Sequence, residues 1–162
     1  MADLRSLLSN NGFKGVKTYI QSGNVIFERD DDASDSESKA FLEVTIKTHF
    51  GFDVPVLVKS VSDLQIIIEN NPFSNKEDLE SNRIYFVMLF GLPENGLLTS
   101  FKKENYPNES WELVDDCLYL SCKNGYGNAK LNNNLVERKL KVGATTRNYR
   151  TLMKLLEMGT TN

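Results

Sequence analysis

Apolar residues recur along the chain with two different periods, and the period changes where glycine, proline or clustered polar residues intervene. Leu4, Leu7 and Leu8 lie at i, i+3, i+4, which predicts a helix over 2–9, closed near Gly12. "VKTYIQSGNVIFE" then alternates, with a break at Ser22-Gly23, and predicts a hairpin of 16–20 and 24–28. After the acidic loop "RDDDASDSES", the run through Phe41, Val44, Ile46 and Phe50 predicts a helix that stops at Gly51. "DVPVLVKS" reads as a strand, and Pro55 confines it to an edge or to a position whose N–H is not needed. "SVSDLQIIIENNPF" predicts a short helix capped by Ser60 or Ser62, with Leu64, Ile67 and Ile68 inward and Pro72 ending it.

A polar loop over 74–82 opens the second half. "RIYFVMLF" is apolar on both sides and predicts a central strand. A helix follows from 95 or 96 to 104, on Leu97, Leu98 and Phe101. "SWELVDDCLYLSC" predicts a second hairpin turning at Asp115-Asp116. "KNGYGN" leads into a helix over 129–140 that buries Leu131, Leu135 and Leu140. "GATTRN" leads into a last helix over 147–158 with Leu152, Leu155 and Leu156 inside.

Both halves thus repeat a helix, a hairpin and a second helix. The unit that joins such pieces is the ferredoxin-like plait, an antiparallel sheet with helices on one face. The expected class is α+β, with two ferredoxin-like subdomains in tandem: 1–73, and 74–162 with an extra C-terminal helix. The first lacks its opening strand, because Met1 falls just before the first helix. In a plait that strand is central, so its absence leaves backbone N–H and C=O rows without partners.

Composition adds a class and a charge layout. The 162 residues are 40% apolar and 25% charged, as in a globular protein, and no apolar run approaches the roughly 18 residues that span a bilayer. With an early Asp and Arg and no cleavage site, the expected location is cytoplasmic. Residues 1–122 hold 11 Lys and Arg against 20 Asp and Glu, whereas 123–162 hold 8 against 2, so a basic segment closes an acidic chain. A solvated helix face explains that run blandly, and an anion or nucleic-acid contact explains it sharply. Cys117 and Cys122, five apart on one strand, point to opposite faces and cannot bridge each other. The sole histidine, His49, sits at a helix C-terminus, where the dipole favours a cation. No metal site or cofactor is expected.

The segments "KTYIQSGNVIFE", "FGFDVPVLVKS", "ENNPF", "NGYGNAKLNN" and "ATTRN", in this order over nearly the whole chain, resemble the bacterial domain-of-unknown-function family sixteen-ninety-seven. The resemblance implies tandem ferredoxin-like subdomains and brings no activity, cofactor or partner with it. Members of that family usually open with a strand ending in an Arg-Gly-Ile-Asn-Val-Gly-Gly turn, and this sequence starts just past it. The expectation is that the chain lacks its beginning, or that another segment or a partner occupies the slot. A strand supplied in trans would make a homodimer.

Candidate chemistry centres on "GYGNAKL". Gly125 and Gly127 permit close backbone approach, and Lys130 falls in the first turn of the predicted helix, where free N–H groups favour anions. The spacing is not that of a Walker loop. Thr145 or Thr146 is placed to cap the last helix, and Arg147 at its start puts a cation beside a positive dipole end, which calls for a carboxylate or a bound anion. The expected anion site is therefore Gly125, Tyr126, Gly127, Lys130, Thr146, Arg147 and Asn148, with Arg150 one turn on and Glu137 or Asp115 as structural partners. A tight strand-to-helix connection is the bland alternative. Gln21, Ser22 and Asn24 at the first hairpin tip are secondary candidates, with an ordinary turn as their structural reading. Three functions follow: a binding module for a small phosphate- or carboxylate-bearing ligand, an enzyme using Lys130 and Arg147 to stabilise charge, or an RNA-binding or assembly module using Tyr85, Phe86, Trp111 and Tyr119. Nucleic acid is the less favoured partner, because no RNP-type pattern is present, and no membrane contact is expected.

Overall fold

A computed structural model describes residues 1–28 and 33–161. The acidic loop residues Arg29, Asp30, Asp31 and Asp32 lie outside the described residues. Contacts divide the chain into two compact units, one of Met1–Leu64 with Lys154–Asn162 and one of Gln65–Met153. The sequence boundary at 73/74 thus falls inside the second unit, and the end of the last helix belongs to the first. Among the described residues no helix is long and apolar enough to cross a membrane.

In the first unit, α1 (Ala2–Asn10) buries Leu8 and ends where the Asn11 Nδ2 donates to the Leu7 carbonyl at 2.7 Å. Strands β1 (Lys14–Tyr19) and β2 (Asn24–Glu28) form an antiparallel hairpin. Helix α2 (Asp35–Phe50) begins in a reciprocal capping box. The Glu37 N–H donates to the Ser34 hydroxyl, and the Ser34 N–H donates to the Glu37 carboxylate at 2.8 Å. It ends at Gly51, whose φ of 81° is the left-handed conformation that glycine adopts without steric cost. Its buried residues are Ser38, Leu42 and Ile46, so of the predicted apolar run Ile46 is buried whereas Phe41 and Val44 are exposed.

Residues 53–60 correct the sequence reading more seriously. They form no strand, and among the described residues the sheet of this unit consists of β1 and β2. Val56 and Val58 nevertheless pack with Val25 and Phe27 of β2 on the cluster of Leu8, Phe13 and Leu42, and the Val56 N–H donates to the Glu43 carboxylate at 2.9 Å. The alternation is that of a strand, but the ladder partner is missing.

Helix α3 (Val61–Glu69) starts at a second reciprocal cap, between Ser60 and Asp63, which holds the Asp63 carboxyl below its usual range. The predicted loop 74–82 contains α4 (Lys76–Glu80), capped by Asn75.

The second unit is a complete plait. Strand β3 (Ile84–Leu89), helix α5 (Asn95–Phe101), strands β4 (Glu109–Val114) and β5 (Cys117–Cys122), helix α6 (Asn133–Leu140) and strand β6 (Ala144–Asn148) build an antiparallel sheet in the order β4-β5-β3-β6. The "ATTRN" segment, read from sequence as a helix lead-in, is therefore an edge strand, and α7 (Tyr149–Thr160) begins after it. One face of the sheet, with Val87, Leu89, Leu118, Leu120 and Ala144, packs on Phe101 of α5 and on Leu131, Val136 and Leu140 at α6. The other face carries Phe86 against Tyr119 and Tyr149, and the buried Tyr119 hydroxyl donates to the Ile67 carbonyl at 2.9 Å.

Phe86 has no exposed surface; it meets Tyr119 edge to face and stacks on Tyr149. Phe86→Ala should therefore lower the unfolding free energy of the protein by about 3–5 kcal/mol, read from urea denaturation, through lost transfer energy and the cavity left behind.

Candidate functional site

Strand alternation decides the fate of the predicted anion site. Ala144 faces α6, so Thr146 and Asn148 share its side of the sheet, whereas Thr145 and Arg147 take the opposite side. Hydrogen bonds agree. The Thr146 hydroxyl donates to Asn133 Oδ1 at 2.8 Å, and the Tyr126 hydroxyl donates to Thr146 Oγ1 at 3.3 Å. Arg147, pairing with Phe86 across the ladder, donates through Nη1 to Thr145 Oγ1 at 2.7 Å and to the Thr146 carbonyl at 2.8 Å. Burial holds its guanidinium below the usual arginine range.

Lys130 is separated from Arg147. A single 3₁₀ turn covers Tyr126–Asn128, and α6 starts at Asn133 with Asn132 as its cap, so Lys130 precedes the helix and is exposed. Its backbone N–H donates to Glu109 Oε1 at 3.4 Å, on the face that α6 covers. Neither Thr145 nor Thr146 caps the last helix; Asn148 does, its Oδ1 accepting from the Thr151 N–H at 2.8 Å. The two cations that were to share one anion thus lie on opposite faces of one sheet.

What does converge is a closed polar knot. The Asn133 N–H, one of the donors left over at a helix start, donates to the Tyr126 hydroxyl at 2.8 Å. Asn133 Nδ2 donates to the Ala144 carbonyl at 3.1 Å, and the Ala144 N–H donates to Glu137 Oε1 at 2.9 Å, so two residues one turn apart on α6 clamp both backbone groups of one β6 residue. Tyr126 also stacks on Tyr85 with ring centroids 4.6 Å apart. Gly125 has φ of 77°, whereas Gly127 needs no left-handed backbone. Tyr126, Thr146, Asn148 and Glu137 are therefore engaged in holding the second unit together.

At the first hairpin tip, Asn24 is buried and its Nδ2 donates to the Tyr19 carbonyl and to Ser22 Oγ, which matches the turn reading of Ser22 and Asn24; Gln21 is exposed. Phe86 and Tyr119 are buried, and Tyr85 and Trp111 pack against the core, so these aromatics offer no open platform for bases.

Sequence reading missed Glu109. It is nine-tenths buried at the start of β4 and faces Cys122 across the ladder; its Oε2 is buried and meets no hydrogen-bond partner. The signal was there: position 109 has the parity of Trp111 and Leu113, which point inward. Burial first, and the Glu109 charge second, push the Cys122 thiol up to about 12.

The chain belongs to the family described as proteins of unknown function (DUF1697), whose model matches residues 1–119. It is similar in fold to the conserved bacterial protein SP0830 from Streptococcus pneumoniae, at 24% identity over 98% of this chain and 88% of that chain, with a TM-score of 0.77. No curated protein matches the chain.

Two outcomes follow from the knot and the thiol. Tyr126→Phe should cost about 1–3 kcal/mol in urea denaturation, since it orphans the Asn133 N–H, while Lys130→Ala should stay within about 0.5 kcal/mol. Because the folded Cys122 pKa lies above its unfolded value, its contribution to stability is complete below the unfolded pKa of about 8.5 and declines as pH rises from there towards 12. A thiol reagent at pH 8 should accordingly label Cys122 only after unfolding.

Proposed function

We propose that this member of a family of unknown function is a binding module that accepts one extended polypeptide strand in its first unit, between β2 and residues 54–58. The observation that carries this reading is the shared packing of Val25, Phe27, Val56 and Val58 on Leu8, Phe13 and Leu42, in a unit whose sheet has only two strands. β2 and residues 54–58 flank one apolar floor, and in a plait a strand between such flanks pairs with both. Backbone groups at such an edge gain most from another strand, which is the physics of β-augmentation.

The second unit supplies the template. There β3 occupies the corresponding place, antiparallel to β5 on one side and to β6 on the other. An occupant of the first unit would run antiparallel to β2 and turn every second side chain, apolar, towards the cluster. Lys130 and Arg147 lie on opposite sides of the second sheet, which favours the strand reading over the small-anion one.

Hydrogen exchange on the whole protein tests this. A Lys-flanked peptide of alternating Val and Thr should slow exchange at β2 and at residues 54–58 by about tenfold or more. A peptide of the same composition with its valines clustered should not. If protection instead appears only as light scattering reports a dimer, a second copy supplies the strand. Protection already complete in the dilute monomer overturns the proposal, because the polypeptide then closes its own slot.

A further inference from the structure

Glu109 carries an inference independent of the strand position. Its carboxylate lies on the covered face of the second unit's sheet, under the turn that runs from Gly125 to Leu131. One oxygen accepts the Lys130 N–H at 3.4 Å, a long bond, and the other is buried without a partner. A carboxylate so placed has lost its water, and an acceptor-only group is stabilised there by a donor or by positive charge. Its cross-strand neighbour Cys122 is a buried thiol that stays neutral, and the Lys130 side chain points to solvent, so neither supplies the charge.

The covering turn is short, and Ala129 seats it in the core. Residues 126–128 make one 3₁₀ turn between Gly125 and Ala129, and beyond Gly127 lies open space. The turn is held to β4 by the Lys130 amide bond, while Tyr126 at its start stays anchored in the polar knot.

We propose that Glu109 and this turn form a binding site for a small hydrogen-bond-donating cation, ammonium or a protonated primary amine, held by the unpartnered carboxylate oxygen. Among the described residues no group of three or more His, Cys, Asp or Glu is placed to hold a metal ion, so a divalent cation would lack the oxygen ligands it requires. A donor cation needs only the carboxylate and neighbouring carbonyls.

Thermal unfolding of the full chain is compared in ammonium, methylammonium, potassium and tetramethylammonium chlorides at one ionic strength. Ammonium or methylammonium should raise Tm saturably by a few degrees over tetramethylammonium, which cannot donate. Glu109→Gln should abolish that difference while keeping a Tm at least equal to that of the native protein in tetramethylammonium. An equal rise in potassium overturns the donor requirement, and no difference between ammonium and tetramethylammonium overturns the site. Should Glu109→Gln fail to fold, the native protein still decides: titrating methylammonium should move the Lys130 amide resonance with saturation, and an unmoved resonance rejects the proposal.

Discussion

Strand β3 is hydrogen-bonded on both sides, and the second unit depends on that double pairing. A central strand must satisfy two rows of backbone donors and acceptors at once, so its neighbours are fixed in register to the residue. Leu89 opposite Ala144 and Phe86 opposite Arg147 on one side, and Phe86 opposite Tyr119 on the other, are consequences of that register. Register in turn dictates faces. A slip of one residue in β6 would exchange Thr146 with Arg147, placing a guanidinium where Asn133 now receives a hydroxyl and leaving the Tyr126 hydroxyl without an acceptor. The polar knot and the double pairing are therefore one constraint seen at two scales.

That constraint explains the glycine-bearing connection without calling on a ligand. β5 ends at Cys122 on the face-defining parity, and the chain must return over the same face to begin α6 eleven residues later. Gly125 turns it back, Tyr126 drops its ring onto Tyr85, and the phenol reaches the first turn of α6 as an acceptor for an orphan N–H. The connection thus has a mechanical role first. Below it lies Glu109 Oε2, a buried polar atom that the knot leaves out.

Much of this was legible from the order of residues, and what was not has identifiable causes. The helix over 2–9, the helix that stops at Gly51 and both hairpins were marked by periodicity and by glycine or polar breaks. "ATTRN" was misread because two threonines serve equally as caps and as strand residues. An edge strand with no apolar alternation declares itself only through its neighbour, β3. "DVPVLVKS" failed in the opposite sense: its alternation is that of a strand, yet a strand is a relation between two segments, and among the described residues no segment pairs with it. Lys130 and Arg147 looked convergent because sequence reading placed both at helix starts. Neither residue is in a helix, and parity within β6 carries Arg147 away. Glu109 was passed over because a lone acid in a polar stretch reads as surface, although its parity with Trp111 marked it as inward.

The two units invite comparison at the level of energetics. An isolated hairpin is marginal in water, and three strands or a packed helix are needed for independent stability. Among the described residues the first unit has helices against a two-stranded hairpin, so much of its packing falls on Leu8, Phe13 and Leu42, with the Phe13 and Phe27 rings 4.5 Å apart edge to face. The second unit spreads the same task over four strands and a far larger core. A ligand that binds only the folded state stabilises it by mass action. Completion of the first sheet would act at the weaker point of the molecule, so strand binding and folding of that unit are thermodynamically one equilibrium, and any polypeptide that fills the slot acts as a folding partner as well as a ligand.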